Sequence, residues 1–189
     1  MTETPKIKNK GLIFLFIAVF ALPVVLAKFA LEYNWFNQAA TNKGQLLAPS
    51  LDMTQWHSAD YPPSWKFLYV IPSECLNECQ NAIYSLNQLW SALGKEQDRV
   101  ESVVVAMPSS DSAALGKVAE YKNIRIIHSD EQSVNQVFKD VKTNGIFIVD
   151  TLDNIILRYQ TQNDQQQAVL HSRDILADMR KVLKLSRIG

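Results

Sequence analysis

Between Gly11 and Ala27 the chain carries no charged residue, and apart from Gly11 and Pro23 every position is Leu, Ile, Val, Phe or Ala. A helix that is apolar on every face needs either a large surrounding core or a membrane, and no other stretch of this chain could shield it. At about 1.5 Å per residue the run covers roughly 25 Å. With Lys28 snorkelling and Phe29 to Leu31 added, it reaches the roughly 30 Å hydrocarbon core of a bilayer. A transmembrane helix over residues 11–31 is therefore expected. Lys6, Lys8 and Lys10 precede it and Glu32 follows, so the positive-inside rule keeps residues 1–10 in the cytoplasm and translocates the rest. In a bacterial inner membrane the C-terminal part is then periplasmic. The competing reading is a cleaved signal peptide, since Val25, Leu26 and Ala27 offer small residues near a cleavage point. The run is longer than the roughly 7 to 15 residues of a signal core, and Trp35 and Phe36 suit an interfacial anchor.

With 189 residues, the remainder has room for one ordinary core. Its 19 basic and 19 acidic residues balance, and no basic run is interleaved with aromatics, so a nucleic-acid partner is not expected.

Residues 32–64 are polar and punctuated by Gly44, Pro49, Pro62 and Pro63, and they read as a periplasmic tether. Within it Gly44 to Pro49 is expected to lie extended along the domain. Regular patterning begins at Trp65. Trp65 to Ile71 is an aromatic and β-branched strand; Ala82, Ile83, Leu86, Leu89, Trp90 and Leu93 follow with helical spacing, stopped by Gly94. Arg99 to Met107 reads as a second strand, after which Asp111 caps a helix bearing Ala114, Leu115 and Val118. Ile124 to His128 is a third strand, and a helix with Val134, Val137 and Phe138 comes next. Gly145 to Asp150 and Ile155 to Gln160 flank a hairpin turn in which Asp153 and Asn154 tolerate left-handed dihedrals. A final helix carries Val169, Ile175, Leu176, Met179, Val182 and Leu183. This order predicts an α/β domain over residues 65–189 with a central mixed sheet and helices on both faces, in the thioredoxin-like arrangement.

The only cysteines, Cys75 and Cys79, fall between the first core strand and its helix. A helix N-terminus presents free N–H groups and partial positive charge, which favour the reactive thiolate. Glu74 and Glu78 oppose it. The four-residue spacing puts both sulfurs on one side of a turn, close enough to share a soft metal ion or, with local adjustment, a disulfide. Outside the cytoplasm the bland alternative is a structural staple. A loop this short removes little unfolded-state entropy, so stabilisation alone explains the pair poorly.

Ser73-Glu-Cys75-Leu-Asn-Glu-Cys79 after an aromatic strand, with Gly145 to Asp150 before a closing hairpin, resembles the membrane-anchored Sco/SenC group of thioredoxin-like proteins. Gly44 to Pro49, Trp65 to Val70 and Ala92 to Arg99 add a resemblance to small membrane proteins that accompany oxidase assembly factors in proteobacteria. The resemblance implies an accessory factor in cytochrome c oxidase biogenesis, acting through Cys75 and Cys79 by copper handling or thiol–disulfide exchange. It also implies an oxidase subunit or another assembly factor as partner. Copper is the one metal it puts forward, on Cys75 and Cys79 with no third ligand assigned. The chain departs from Sco proteins at Val141 to Gly145, where the family's histidine is missing, and has Asn144 where ordinary thioredoxins place a cis-proline. Of the three histidines, His128 and His171 read as ordinary surface or satisfied residues, and His57 is the one whose segment could fold over the cysteines. Two further readings stand beside the first: a non-catalytic scaffold that keeps the frame for contacts, and a general periplasmic thiol oxidoreductase, for which a two-residue cysteine spacing is the expected signature.

Overall fold

The computed structural model describes residues 10–32 and 42–186, in two compact units, Met1–Thr41 and Asn42–Gly189. The first contributes helix α1 (Lys10–Glu32), with Pro23 inside it. Among its described side chains the large apolar ones, such as Phe16, Phe20, Val24 and Leu26, are exposed. Among the described residues no helix is long and apolar enough to cross a membrane. The expected span over 11–31 also draws on Leu12, Ile13, Phe14 and Leu31, whose side chains lie outside the described ones. Lys6 and Lys8, and the aromatic anchor at Trp35 and Phe36, lie outside the described residues too.

The second unit is built on a six-stranded sheet. Its strands are β1 (Gln45–Asp52), β2 (Trp65–Val70), β3 (Val100–Ala106), β4 (Ile124–His128), β5 (Gly145–Val149) and β6 (Asn154–Gln160). They lie in the order β1-β6-β5-β2-β3-β4. β2, β3 and β4 run parallel, while β5 pairs antiparallel with β2 and β6, and β1 antiparallel with β6. Every side chain of β2 is buried, as a central strand covered on both faces requires. Alternation then divides it. Phe67 and Tyr69 face a core with α2 (Asn77–Ala92), α3 (Ser112–Ala119) and α5 (Gln165–Leu185). Leu68 and Val70 face the other core, with α4 (Glu131–Phe138) and the β1 side chains Leu47 and Leu51. The thioredoxin-like α/β arrangement and the mixed sheet read from the sequence are present.

The β5–β6 turn also has the expected chemistry. The Asp150 carboxylate accepts the N–H groups of Leu152 and Asn154, and Asp153 takes φ 64°, a left-handed position that Asp tolerates better than branched residues. The extended piece expected at Gly44 to Pro49 is the edge strand β1, so the folded unit reaches back to Asn42, inside the segment read as a tether. Asp178, 3% exposed on α5, pins the start of this strand. It accepts the Lys43 and Gly44 N–H groups at 2.7 and 3.0 Å and the Tyr159 hydroxyl at 2.7 Å. A Cβ at Gly44 would collide with the Tyr159 ring, so glycine is what lets the backbone close on it.

Candidate functional site

In an open sheet, loops that leave the carboxyl ends of parallel strands converge on one edge, where sites tend to form. Cys75 sits in the loop after β2, and Cys79 in the first turn of α2. The neighbouring loop after β3 braces that segment. Asp111 donates its N–H to Pro72 O at 2.9 Å, and Ser110 Oγ donates to Ile71 O at 2.8 Å. The Asp111 carboxylate works at both ends: Oδ1 accepts Ala114 N–H to cap α3, and Oδ2 accepts Cys75 N–H at 3.0 Å. These two bonds hold its carboxyl below the ordinary value of 3.8. The sequence identified Asp111 as a cap. Its hold on the cysteine loop crosses 36 residues of chain and had no local signal.

Cys75 and Cys79 are joined by a disulfide, with Cα atoms 5.1 Å apart. Cys79 is 3% exposed and packs in the core shared with α2 and α5, while Cys75 is half-buried against it. Two grooves meet at the pair. One, of about 520 Å³, runs past Cys75 between Gln80, Tyr84, Asp111 and Lys117. The other, of about 360 Å³, runs past Cys79 between Tyr69, Glu74, Glu78 and Asn144. Asn163 lines both. Burial, and secondarily the Glu78 charge, push the Tyr69 phenol well above its ordinary range. Leu76, between the cysteines in sequence, is 63% exposed and lines the groove beside Cys79. Asn144, which the resemblance sets where ordinary thioredoxins have a proline, lines the groove beside Cys79.

The histidines do not join them. His57 is bound elsewhere, which corrects the expectation that its segment could fold over the site. Its Nδ1 lies 2.7 Å from Asp153 Oδ2, and Asp153 Oδ1 accepts from Lys66 Nζ at 2.8 Å. Lys66 and Asp153 are both buried, Lys66 near the start of β2 and Asp153 in the β5–β6 turn, whereas Cys75 follows the other end of β2. A lysine inside an otherwise apolar strand was the available signal for this cluster, since a buried ammonium needs a carboxylate partner. His128 ends β4 and lines a separate cavity with Trp56 and Ser129, and His171 lies 3.5 Å from Gln162 Nε2.

Among the described residues no group of three or more His, Cys, Asp and Glu side chains is placed to hold a metal ion. Beside the cysteines the nearby charged donors are the carboxylates of Glu74, Glu78 and Asp111, hard oxygen ligands that a soft ion such as Cu(I) takes poorly. For copper the donor set fits two thiolates and no third soft ligand. For sulfur exchange it is better suited, with one half-buried and one buried cysteine at the mouth of a helix.

Residues 65–186 match the family described as transmembrane-like, thioredoxin-like, C-terminal domain. No curated protein sequence matches the chain. Among solved structures, yeast Sco1 is similar at TM-score 0.51 and 10% identity, over 68% of this chain and 84% of that one. Yeast Sco1 with copper bound is similar at TM-score 0.50 and 12% identity, over 76% and 89%. A SCO1/SenC family lipoprotein from Bacillus anthracis reaches TM-score 0.48 at 12% identity, over 75% and 95%. At these identities the two yeast likenesses speak for the fold alone, which agrees with the thioredoxin-like arrangement read from the sequence. The chain belongs to the transmembrane-like, thioredoxin-like C-terminal domain family.

Proposed function

We propose that this protein is a membrane-anchored thioredoxin-like accessory factor in cytochrome c oxidase biogenesis, working by thiol–disulfide exchange through Cys75 and Cys79. The observation that carries the exchange chemistry is the disulfide itself, set at the mouth of α2 with Cys79 buried, Cys75 half-buried and a groove on each side. A thiolate from a partner attacks Cys75 Sγ, the S–S bond breaks, and Cys79 leaves as a thiolate near the start of α2, where free N–H groups favour negative charge. In the reverse direction Cys79 attacks the mixed disulfide and releases the reduced partner. The cysteine pair of an oxidase copper site is the partner that the Sco/SenC resemblance suggests.

The same resemblance supports copper handling, and a neighbouring fold is known with copper bound. On this chain Cys75 and Cys79 would supply both ligands once reduced. A non-catalytic scaffold is the reading that the missing family histidine favours. The anchoring part of the proposal rests on α1 and its exposed apolar side chains, and orientation rests on the lysines before it. The deciding experiment is anaerobic Cu(I) titration of the reduced full-length protein against Cys75→Ser and Cys79→Ser, beside a redox titration of the same samples. Reversible exchange without one-to-one copper binding is the expected result. Tight copper binding lost in both variants would replace exchange by copper handling, and neither activity would leave the scaffold.

A further inference from the structure

We propose that the carboxylates of Glu74, Glu78 and Asp111 make the Cys75–Cys79 site selective for thiols carried on cationic partners, which deepens the exchange reading and rests on it. Glu74 and Glu78 line the groove beside Cys79, and Asp111 the groove beside Cys75. Lys117 is the only cation among the described residues lining either groove. None of the three carboxylates is in an ion pair with another described residue, and the Lys117 charge acts on Asp111 alone of the three. Glu74 and Glu78 are exposed, yet the charge of Glu78 reaches the phenol of the buried Tyr69, which lines the same groove. Asp111 also occupies the Cys75 N–H, a donor that would otherwise be free to stabilise negative charge arriving at that sulfur.

An attacking thiolate is itself an anion, and an anionic molecule brings further charge of the same sign into this field. A thiol flanked by ammonium or guanidinium groups has its approach favoured, and steering of this kind acts on association rate and fades with salt. The exposed Leu76, which lines the groove beside Cys79, adds an apolar contact point. The fitting partner is thus a cysteine-bearing protein segment with basic neighbours, while small acidic thiols are poor reductants of this disulfide. In the reaction RS⁻ bonds to Cys75 Sγ and the electron pair of the broken S–S bond leaves on Cys79; a second equivalent of the same thiol then attacks the mixed disulfide, forming RSSR and freeing Cys75 as a thiolate, so the thiol is the only reductant required. The negative surroundings also disfavour Cys79 leaving as a thiolate, but that affects every thiol equally and cancels in a ratio of rates.

The test uses the oxidised full-length protein near neutral pH. Reduction of its disulfide is followed with cysteamine, which is cationic, and mercaptopropionate, which is anionic, each rate being divided by that thiol's rate on neutral hydroxyethyl disulfide. The expected cysteamine preference is about fivefold at low ionic strength and falls toward unity in about 0.5 M salt. It shrinks in Glu74→Gln and Glu78→Gln and persists in Glu131→Gln, an exposed carboxylate on α4. Equal normalised rates in the unaltered protein, or a preference untouched by the first two variants, would overturn the selectivity while leaving exchange intact. A disulfide that neither thiol reduces until the chain is unfolded would overturn both.

Discussion

Single side chains already divide the labour at the cysteine pair. After reduction Cys75, half-buried, should be alkylated by iodoacetamide at least about tenfold faster than Cys79, which the α2–α5 core covers. Mass spectrometry of partly alkylated protein measures that ratio, and comparable rates would place Cys79 outside the core. Asp111 gives a pH dependence with a definite sign. Its carboxyl is held below 3.8 by the N–H groups of Ala114 and Cys75. Its contribution to the folded state is therefore present above the unfolded value and lost as pH falls through the lower folded one. The protection factors of those two amides, with observed rates corrected for the slower intrinsic exchange in acid, should fall on acidification through that window by more than in Asp111→Asn, whose amides should be less protected already at neutral pH. Of these residue-scale features the cysteines and the α3 cap were legible, because each is encoded within a few positions. The bond from Cys75 N–H to Asp111 was not, because it depends on how two loops meet after the strands have paired.

At the scale of elements, two buried polar clusters fix the parts of the sheet that patterning left open. Asp178 ties α5 to the residues before β1 and to Tyr159 of β6. Asp178→Ala leaves a buried hydroxyl and two N–H groups without their acceptor, and should cost about 3 kcal/mol in urea unfolding. Tyr159→Phe, which removes one donor only, should cost about 1 kcal/mol. Equal effects would mean that the backbone N–H groups find other acceptors. Lys66 and Asp153 form the second cluster, buried between the start of β2 and the β5–β6 turn. Removing either partner strands a buried charge at about 3–5 kcal/mol, while Lys66→Met with Asp153→Asn should recover most of that loss. A double variant no more stable than the worse single one would contradict the pairing. The alternating strands and helices were readable because their apolar periods are local. The edge strand β1 was foreseen only as an extended piece, since its partner β6 lies more than a hundred residues away in sequence. The His57 expectation failed for the same reason: the chain's punctuation shows where it can bend, not which carboxylate it will meet.

The whole molecule combines a folded unit from Asn42 to Gly189 with helix α1, and each unit has its own test. The proposed anchoring predicts that the full-length chain floats with lipid vesicles and resists alkaline carbonate extraction, whereas loss of residues 10–32 releases it. Recovery in the soluble fraction with α1 intact would remove the anchor. For the folded unit, Cys75–Cys79 is proposed to be an exchanging pair rather than a staple. Equilibrating the full-length protein in redox buffers of stepped potential, then quenching by alkylation and counting blocked thiols by mass, addresses it directly. An exchanging pair gives a reversible change between no free thiols and two, with the protein folded throughout. A disulfide that stays closed in every buffer until the protein unfolds would show a staple and contradict it.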